Sequence, residues 1–367
     1  MPEIGIGIVG GGYMGKAHSV AYAAVGAVFD TALKPRLEMI AASSPASAER
    51  YKSAFGFARA AEDWQQLVAD PKVDAVVIAS PQAHHRAIAE AALAAGKPVF
   101  CEKPLGASLD DSRAMVAAAE AAGTVNMTGF NYIRTPASEY ARQLIADGRI
   151  GKLTHIRAEH TEDFFADVSE PATWRCQGRA NGAMGDLSPH IINAVHALGG
   201  QIEELMADIE TVHPVRSGIP VTNDDQATIL VRFASGTRGS LHVSRVATGR
   251  KMGYSYEITG TAGAIRFDQE DQNTLWLYLM EGPEAERGFR KILTGPAHPN
   301  YLAFCQGPGH GTGYQDQIII EAKDFLNAIH SGQSMWPDFR EGEQVNRVVA
   351  AAFKSHETRS WVRVTDV

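Results

Sequence analysis

The sequence predicts an α/β protein in two parts, a doubly wound parallel sheet followed by an α+β domain whose sheet is large, open and mostly antiparallel. Three observations predict it. The apolar run Ile4, Ile6, Ile8 and Val9 leads directly into a glycine turn and a helical segment. Strand and helix signals then alternate to about residue 130. Beyond that point strand signals follow one another with few helices between them, the mark of consecutive pairing.

At 367 residues the chain exceeds one typical core, and a prior of about 150 residues per domain gives two. The change of pattern sets the expected boundary, with domains over 1–130 and 131–367 and a C-terminal helix able to pack back on the first. Hydrophobic residues make up 45% and charged residues 21%, values of an ordinary globular chain. The net charge of −8 gives no electrostatic case for nucleic acid or an anionic membrane. Cys101, Cys176 and Cys305 are far apart and lack any Cys-x-x-Cys spacing, so neither a disulfide framework nor a zinc site is expected. With no leader-like start and no apolar run near the ~20 residues of a membrane span, a cytoplasmic location is expected.

The first strand ends in Gly10-Gly11-Gly12-Tyr13-Met14-Gly15. Gly10, Gly12 and Gly15 stand at Gly-x-Gly-x-x-Gly spacing between a strand and a helix (16–29), the context a dinucleotide fingerprint requires. Such a turn brings the backbone close to a pyrophosphate at a helix N-terminus, where free N–H groups favour anions. NAD(P) is the expected coenzyme. A second strand, 37–42, ends in Ala42-Ser43-Ser44, where a Rossmann unit for NAD usually carries an acid on the ribose hydroxyls. With no acid present, Ser43, Ser44, Ser47 and Arg50 are the candidate contacts to a 2′-phosphate, and the expectation leans to NADP.

Alternation continues with helix 64–69, strand 75–79, helix 86–95 and strand 98–101. Ser108 and Asp111 open helix 109–122, Gly123 closes it, and strand 125–130 completes the first domain. In the second, helix 136–147 precedes strands 152–160, 202–213, 226–233, 239–247, 254–259 and 264–267. Residues 282–313 are rich in glycine and proline and are expected to be an irregular insertion. Helices 315–330 and 342–358 and a short strand 361–364 finish the chain.

Two segments carry chemistry. Glu102-Lys103-Pro104 ends a parallel strand, and open α/β sheets bind ligands at that carboxyl edge; on position alone Lys103 could equally be a solvated loop residue. Asp186 and His190 stand four apart at the start of an apolar helical run, which places a carboxylate and an imidazole on one face. Asp186 as a helix N-cap and His190 as a packed first-turn residue is the competing reading. A Lys, an Asp and a His at a nicotinamide site suit oxidation of an alcohol. Histidine, titrating near neutrality, is the natural base, and lysine the hydrogen-bond donor or relay. His84 and His85 are adjacent and point apart, so no metal is expected. Phe164, Phe165, Trp174, Arg175, His310 and Tyr314 are candidates to line a polyol pocket.

Taken together, Gly10 to Gly15, Ser80-Pro81 with His85, Glu102-Lys103-Pro104, Asp186 to His190 and Thr259-Gly260-Thr261-Ala262-Gly263 resemble the glucose-fructose oxidoreductase/inositol dehydrogenase/rhizopine catabolism (Gfo/Idh/MocA) family across nearly the whole chain. The resemblance implies that Lys103, Asp186 and His190 are the catalytic residues. It implies coenzyme contacts from Gly10, Gly12, Tyr13, Met14, Gly15, Ser43, Ser44, Ser80, Pro81, His85, Glu102, Lys103 and Asn131. Substrate contacts would come from Lys103, Tyr132, Arg134, Trp174, Arg175, Asp186, His190, His310 and Tyr314. The segments Phe130-Asn131-Tyr132-x-Arg134-Thr135-Pro136, Trp174-Arg175 and Thr294-Gly295-Pro296-Ala297-His298-Pro299 look most like its levoglucosan and L-glucose/scyllo-inositol dehydrogenase branch, which implies a cyclic polyol, sugar, anhydrosugar or inositol. The open sheet would join subunits of a homodimer or homotetramer. Ser188, where the family often has Gly, and Ala42, where the NAD-dependent members of the branch carry an acid, depart from the pattern. The activity expected is NAD(P)-dependent oxidation of a secondary ring hydroxyl to a ketone, or the reverse. The alternatives are an NAD-dependent glycosidase acting by transient oxidation and elimination, and a non-catalytic coenzyme-binding regulator.

Overall fold

The first strand, β1 (Glu3–Val9), is buried at every position after Glu3, because a parallel strand covered by helices on both faces loses the polar alternation of a half-exposed one. Its companions are β2 (Lys34–Ala41), β3 (Arg59–Ala60), β4 (Ala75–Ile78), β5 (Val99–Glu102) and β6 (Asn126–Gly129). The computed structural model describes residues 2–367, and in it these strands form a six-stranded parallel sheet ordered β3-β2-β1-β4-β5-β6. Ile6, Ile8, Val76, Val77 and Phe100 retain no exposed surface. Each side chain of this kind contributes about 1.5–3 kcal/mol.

Five helices connect the strands: α1 (Tyr13–Val28), α2 (Pro45–Phe55), α3 (Trp64–Ala69), α4 (His85–Ala94) and α5 (Leu109–Ala122). Ser108 caps α5 by accepting the Asp111 N–H, and Gly123 ends it in the left-handed region, as the sequence signals require. Hydrophobic periodicity did not reveal α2, since only Ala48 of its residues is buried. Its punctuation is nevertheless complete, with Ser44 as N-cap, Pro45 in the first turn and Gly56 in the left-handed region at its end.

The chain forms two units. The first runs to Arg134 and takes in Gly313–Asn346 as well; the second comprises Thr135–Thr312 and Arg347–Val367. The later stretch of the first unit supplies α10 (Tyr314–Ser331), which packs on α1, and the start of α11 (Phe339–Thr358), whose Phe339 joins the core of the parallel sheet.

In the second unit, α6 (Pro136–Ala146) and β7 (Leu153–Thr161) come first, then the short α7 (Ala183–Asp186) and α8 (Ser188–Gly199). The strands β8 (Ile202–Glu210), β11 (Gln226–Phe233), β12 (Arg238–Ser244), β13 (Gly253–Gly260), β14 (Gly263–Asp268), β15 (Thr274–Leu279), β16 (Arg290–Leu293) and β17 (Val362–Arg363) join β7. Between β8 and β11 lies a small hairpin of β9 (Val215–Arg216) and β10 (Ile219–Pro220). The large sheet is ordered β16-β15-β14-β13-β7-β12-β11-β8-β17. Only β7 and β12 pair in parallel, so the sheet is mostly antiparallel. One face is covered by α8 on β7 and α6 on β14 and β15. Alternation in β11 places Thr228 and Leu230 on the opposite, exposed face.

The stretch 282–313 is more ordered than its composition suggested. Arg290–Leu293 pairs with β15, and in the following segment, which includes α9 (Tyr301–Phe304), the buried Tyr301 hydroxyl donates to the Gly307 carbonyl and accepts the Gly311 N–H. A wholly irregular insertion is therefore corrected to an edge strand and a loop folded around one tyrosine. Glycine and proline content hid this because the order comes from side chains that reach the loop, Tyr301 from within it and Asn273 from the turn before β15.

Candidate active site

The glycine turn follows β1 directly, and its geometry admits no larger residue at two positions. Gly10 has φ +110°, and a Cβ there would fall 2.4 Å from the Ala79 carbonyl; a Cβ on Gly15 would fall 1.9 Å from the Gly10 carbonyl. The helix α1 therefore starts against the strand it follows. Gly12, its N-cap, offers no side-chain acceptor to the first-turn N–H groups, and a Cβ at Gly12 would meet nothing within 4 Å. The result is an open helix N-terminus, suited to a phosphate. Tyr13 is exposed.

At the end of β2, Ser44 expends its hydroxyl in capping α2, accepting the Ser47 N–H at 3.2 Å. Tyr51, one turn further, covers Gly11, where an added Cβ would fall within 2.0 Å of its ring. The Arg50 guanidinium lies over that ring at 4.9 Å. A cation thus stands beside the turn that lacks an acid.

The carboxyl ends of β4 and β5 lie on the other side of β1 and are tied together by His85. Its Nδ1 lies 3.0 Å from the Pro104 carbonyl and its Nε2 2.8 Å from the Ser80 carbonyl. Expected as a coenzyme contact, His85 is buried and bridges two backbone segments, so its side chain fixes the loop bearing Lys103. Burial pushes this imidazole below its ordinary pKa, against the pull of the two carbonyls. The Ser80 hydroxyl is buried without a partner, a polar atom available to a ligand at this edge. Glu102 is also buried. Its Oε1 lies 2.7 Å from His18 Nε2 on α1, and its Oε2 accepts the Lys103 N–H at 3.3 Å. Pro81 is exposed and Lys103 half-buried.

Three expected ligand contacts have partners within the protein. Arg134 is buried and binds Glu321 at 3.1 Å, Asp324 at 3.0 Å and the Phe130 carbonyl at 2.8 Å. It is an internal ion-pair residue. A buried guanidinium needs such partners, and they lie far along the sequence on α10. Burial pushes the Glu321 carboxyl up to about 8, with Arg134 opposing the shift. Asn131 donates to Gln317 on the same helix at 2.8 Å. Tyr314, expected in a loop, opens α10; its hydroxyl meets Met14 Sδ at 3.3 Å and its ring stacks on Tyr13 at 5.8 Å. Tyr132 is its other ring neighbour, at 6.2 Å. Desolvation by burial raises the Tyr314 phenol well above its usual range, with Tyr132 and Tyr13 adding to the shift.

In the second unit, α7 ends at Asp186 and α8 begins at Ser188. Asp186 is accordingly not an N-cap. Asp224 caps the preceding turn instead, its Oδ2 accepting the Met184 N–H at 2.6 Å, and burial raises its pKa. Arg175 Nη1 reaches Asp186 Oδ2 at 2.5 Å, while its guanidinium lies over the Trp174 ring at 4.6 Å. Trp174, a candidate lining residue, is exposed. His190 is buried on α8, its backbone N–H bonded to the Leu187 carbonyl at 3.2 Å. His310 is exposed, in a loop over Gly307.

Several contributors escaped the sequence. The buried Arg245 donates to Asp225, to Asn223 and to the backbone carbonyls of Arg175 and Asn181, so it clamps the loop that carries Arg175. His160 on β7 lies 5.5 Å from the His190 ring, centroid to centroid, beside Glu162 at 3.1 Å. Asn223-Asp224-Asp225 and His160-x-Glu162 were visible as polar clusters flanking strands. Nothing in their spacing told that they would converge.

The residues present fit a dinucleotide: the open helix N-terminus at Gly12, the close approach at Gly10 and Gly15, and the unpartnered Ser80 hydroxyl are what its phosphates and edge require. Among the described residues no cluster of three or more His, Cys, Asp or Glu side chains gathers as for a metal, and no helix is long and apolar enough to cross a membrane.

Comparison with known proteins matches residues 4–130 to the family described as oxidoreductase family, NAD-binding Rossmann fold, and residues 138–266 to the GFO/IDH/MocA C-terminal domain. Levoglucosan dehydrogenase from Pseudarthrobacter phenanthrenivorans is 37% identical over 388 residues, covering 100% of both chains. Myo-inositol 2-dehydrogenase from Thermotoga maritima is 28% identical, over 86% of this chain and 87% of that one. The fold matches that of a levoglucosan dehydrogenase solved in complex with NADH and levoglucosan with a TM-score of 0.96, at 38% identity and 99% coverage of each chain.

Proposed function

The chain belongs to the GFO/IDH/MocA family of oxidoreductases, and from that membership we propose that it oxidises a secondary ring hydroxyl of an anhydrosugar or a related cyclic sugar or inositol to the ketone. The observation that carries this reading is the full-length likeness to levoglucosan dehydrogenase, joined to an Asp186–His190 turn that presents an acid and a base without using Asp186 as a cap. The nicotinamide, when bound, supplies the hydride acceptor.

The chain's own residues handle the proton and the orientation. His190 takes the hydroxyl proton as general base. Asp186, held by Arg175, orients the substrate and the imidazole. Lys103, on the loop that His85 and Glu102 fix, donates a hydrogen bond to the reacting oxygen and stabilises charge developing there. Trp174 lines the sugar side.

NADP is the coenzyme this reading favours. The second strand ends without a carboxylate, and Arg50, stacked on Tyr51 beside Gly11, supplies positive charge for a 2′-phosphate. A second copy of the chain is the partner proposed for the exposed face of the large sheet, where Arg157, Glu257 and Arg266 form a ladder of alternating charge next to the exposed Trp276.

A screen of levoglucosan, L-glucose, scyllo-inositol and myo-inositol against NAD and NADP, followed by absorbance of the reduced coenzyme, tests the reading. Turnover of at least one cyclic substrate is expected. Absence of turnover on all of them with either coenzyme would overturn it.

A further inference from the structure

Both ring nitrogens of His160 face acceptors. Nδ1 lies 3.1 Å from the Leu187 carbonyl and Nε2 lies 3.1 Å from Glu162 Oε1. A neutral imidazole has a single N–H to give. In a side chain that is only 1% exposed, a lone pair turned toward a carbonyl or carboxylate oxygen is costly. A hydrogen on each ring nitrogen, with Glu162 carrying the opposite charge, satisfies both contacts.

We propose that His160 is a positioning residue for the base, carrying a hydrogen on each ring nitrogen and using Glu162 as its counter-ion. Its Nδ1–H pins the Leu187 carbonyl, the peptide group between Asp186 and His190, which also receives the His190 backbone N–H. One histidine thus fixes the turn that presents both groups. Its positive charge, with ring centroids 5.5 Å apart, disfavours a second imidazolium, so that the His190 ring is neutral before the substrate proton reaches it. This inference rests on the proposed role of His190.

The neighbouring elements bring further groups near the ring. On β13 the Tyr254 ring meets His160 edge-on at 5.8 Å. The strand β12 presents Val243 in the same register. Asp186 is paired with Arg175, and Asp163, next to Glu162 in the chain, is paired with Lys251 at 2.7 Å.

Two measurements test it. The first needs no substrate: nitrogen-15 spectra of histidine-labelled protein, with His160→Asn used to assign the signal, are expected to show both His160 ring nitrogens protonated at neutral pH in wild type. A His160 ring with one bare nitrogen would overturn the proposal. The second is the pH profile of kcat/KM on the substrate found by the screen. Glu162→Gln removes the counter-ion, and His160→Asn keeps an N–H for Leu187 without the charge. Both are expected to move the acidic limb upward by roughly one pH unit, with coenzyme KM unchanged and kcat at high pH within about threefold of wild type. His160→Phe, which loses the anchor too, is expected to lower kcat about 10- to 100-fold at every pH. An acidic limb that stays in place in both conservative variants overturns the proposal. If wild type turns over no substrate while the spectra show the doubly protonated ring, the dehydrogenase reading fails and the hydrogen-bond assignment of His160 stands.

Discussion

Arg175 Nη1 lies 2.5 Å from Asp186 Oδ2, and the same arginine is held by its backbone carbonyl to Arg245 and Asn223. The carboxylate next to the proposed base is therefore aimed by a side chain whose own loop is clamped. Arg175 is about 40% exposed, so the pair adds little to global stability. Replacing it with Ala should leave the melting temperature within about 2 °C and lower kcat/KM for the cyclic substrate by about 10- to 100-fold through misplacement of Asp186. Steady-state kinetics beside a thermal melt would check this, and unchanged kcat/KM would refute it.

His190→Ala should lower kcat by about 10²- to 10⁴-fold, the usual contribution of positioned proton transfer, and Lys103→Ala by about 10²- to 10³-fold, the usual contribution of one donor to a developing oxyanion. Coenzyme affinity, read by fluorescence titration, should stay near wild type in His190→Ala. Full turnover in either variant would remove that residue from the chemistry.

Ala42→Asp places a carboxylate just beyond β2, where it can accept from ribose hydroxyls and repel a 2′-phosphate. The ratio of kcat/KM for NADP over NAD should fall at least tenfold. A wild-type enzyme already strongly selective for NAD would contradict the coenzyme reading before any mutation is made.

Gly15→Ala would drive a Cβ to 1.9 Å from the Gly10 carbonyl. Backbone must move for it to fit, so the melting temperature should drop by several degrees and coenzyme binding weaken at least tenfold. Gly12→Ala, whose Cβ meets open space, should leave stability unchanged within about 1 °C.

Glu321 sets a pH dependence of stability. Its carboxyl is raised to about 8 by burial, above the unfolded value near 4.3. The folded state therefore binds more protons between those limits, and this group's contribution to stability falls as pH rises from about 4.5 to 8. Glu321→Gln, which mimics the protonated form beside Arg134, should gain stability relative to wild type across that window. Thermal melts of both proteins at pH 5, 7 and 9 measure it; a gap that does not widen with pH would disprove the assignment.

Much of this was legible because it is local. Gly10 and Gly15 lie within six residues, and sterics dictate glycine at both. The caps of α5 and the buried run of β1 are likewise written in adjacent residues. Arg134 shows the opposite case. Its sequence neighbours suggested a ligand contact, yet its partners Glu321 and Asp324 lie nearly two hundred residues away.

The sequence by itself determined the fold class, the glycine turn and the segments that bear Lys103, Asp186 and His190, since periodicity, punctuation and short motifs act through neighbouring residues. Tertiary structure alone decided which polar groups hold them. His85 spans Ser80 and Pro104, Arg245 clamps the loop of Arg175, and His160 with Glu162 supports the turn before His190. Buried polar groups must find partners wherever packing brings an acceptor or a donor within about 3 Å, and that convergence of distant strands and helices has no period along the chain.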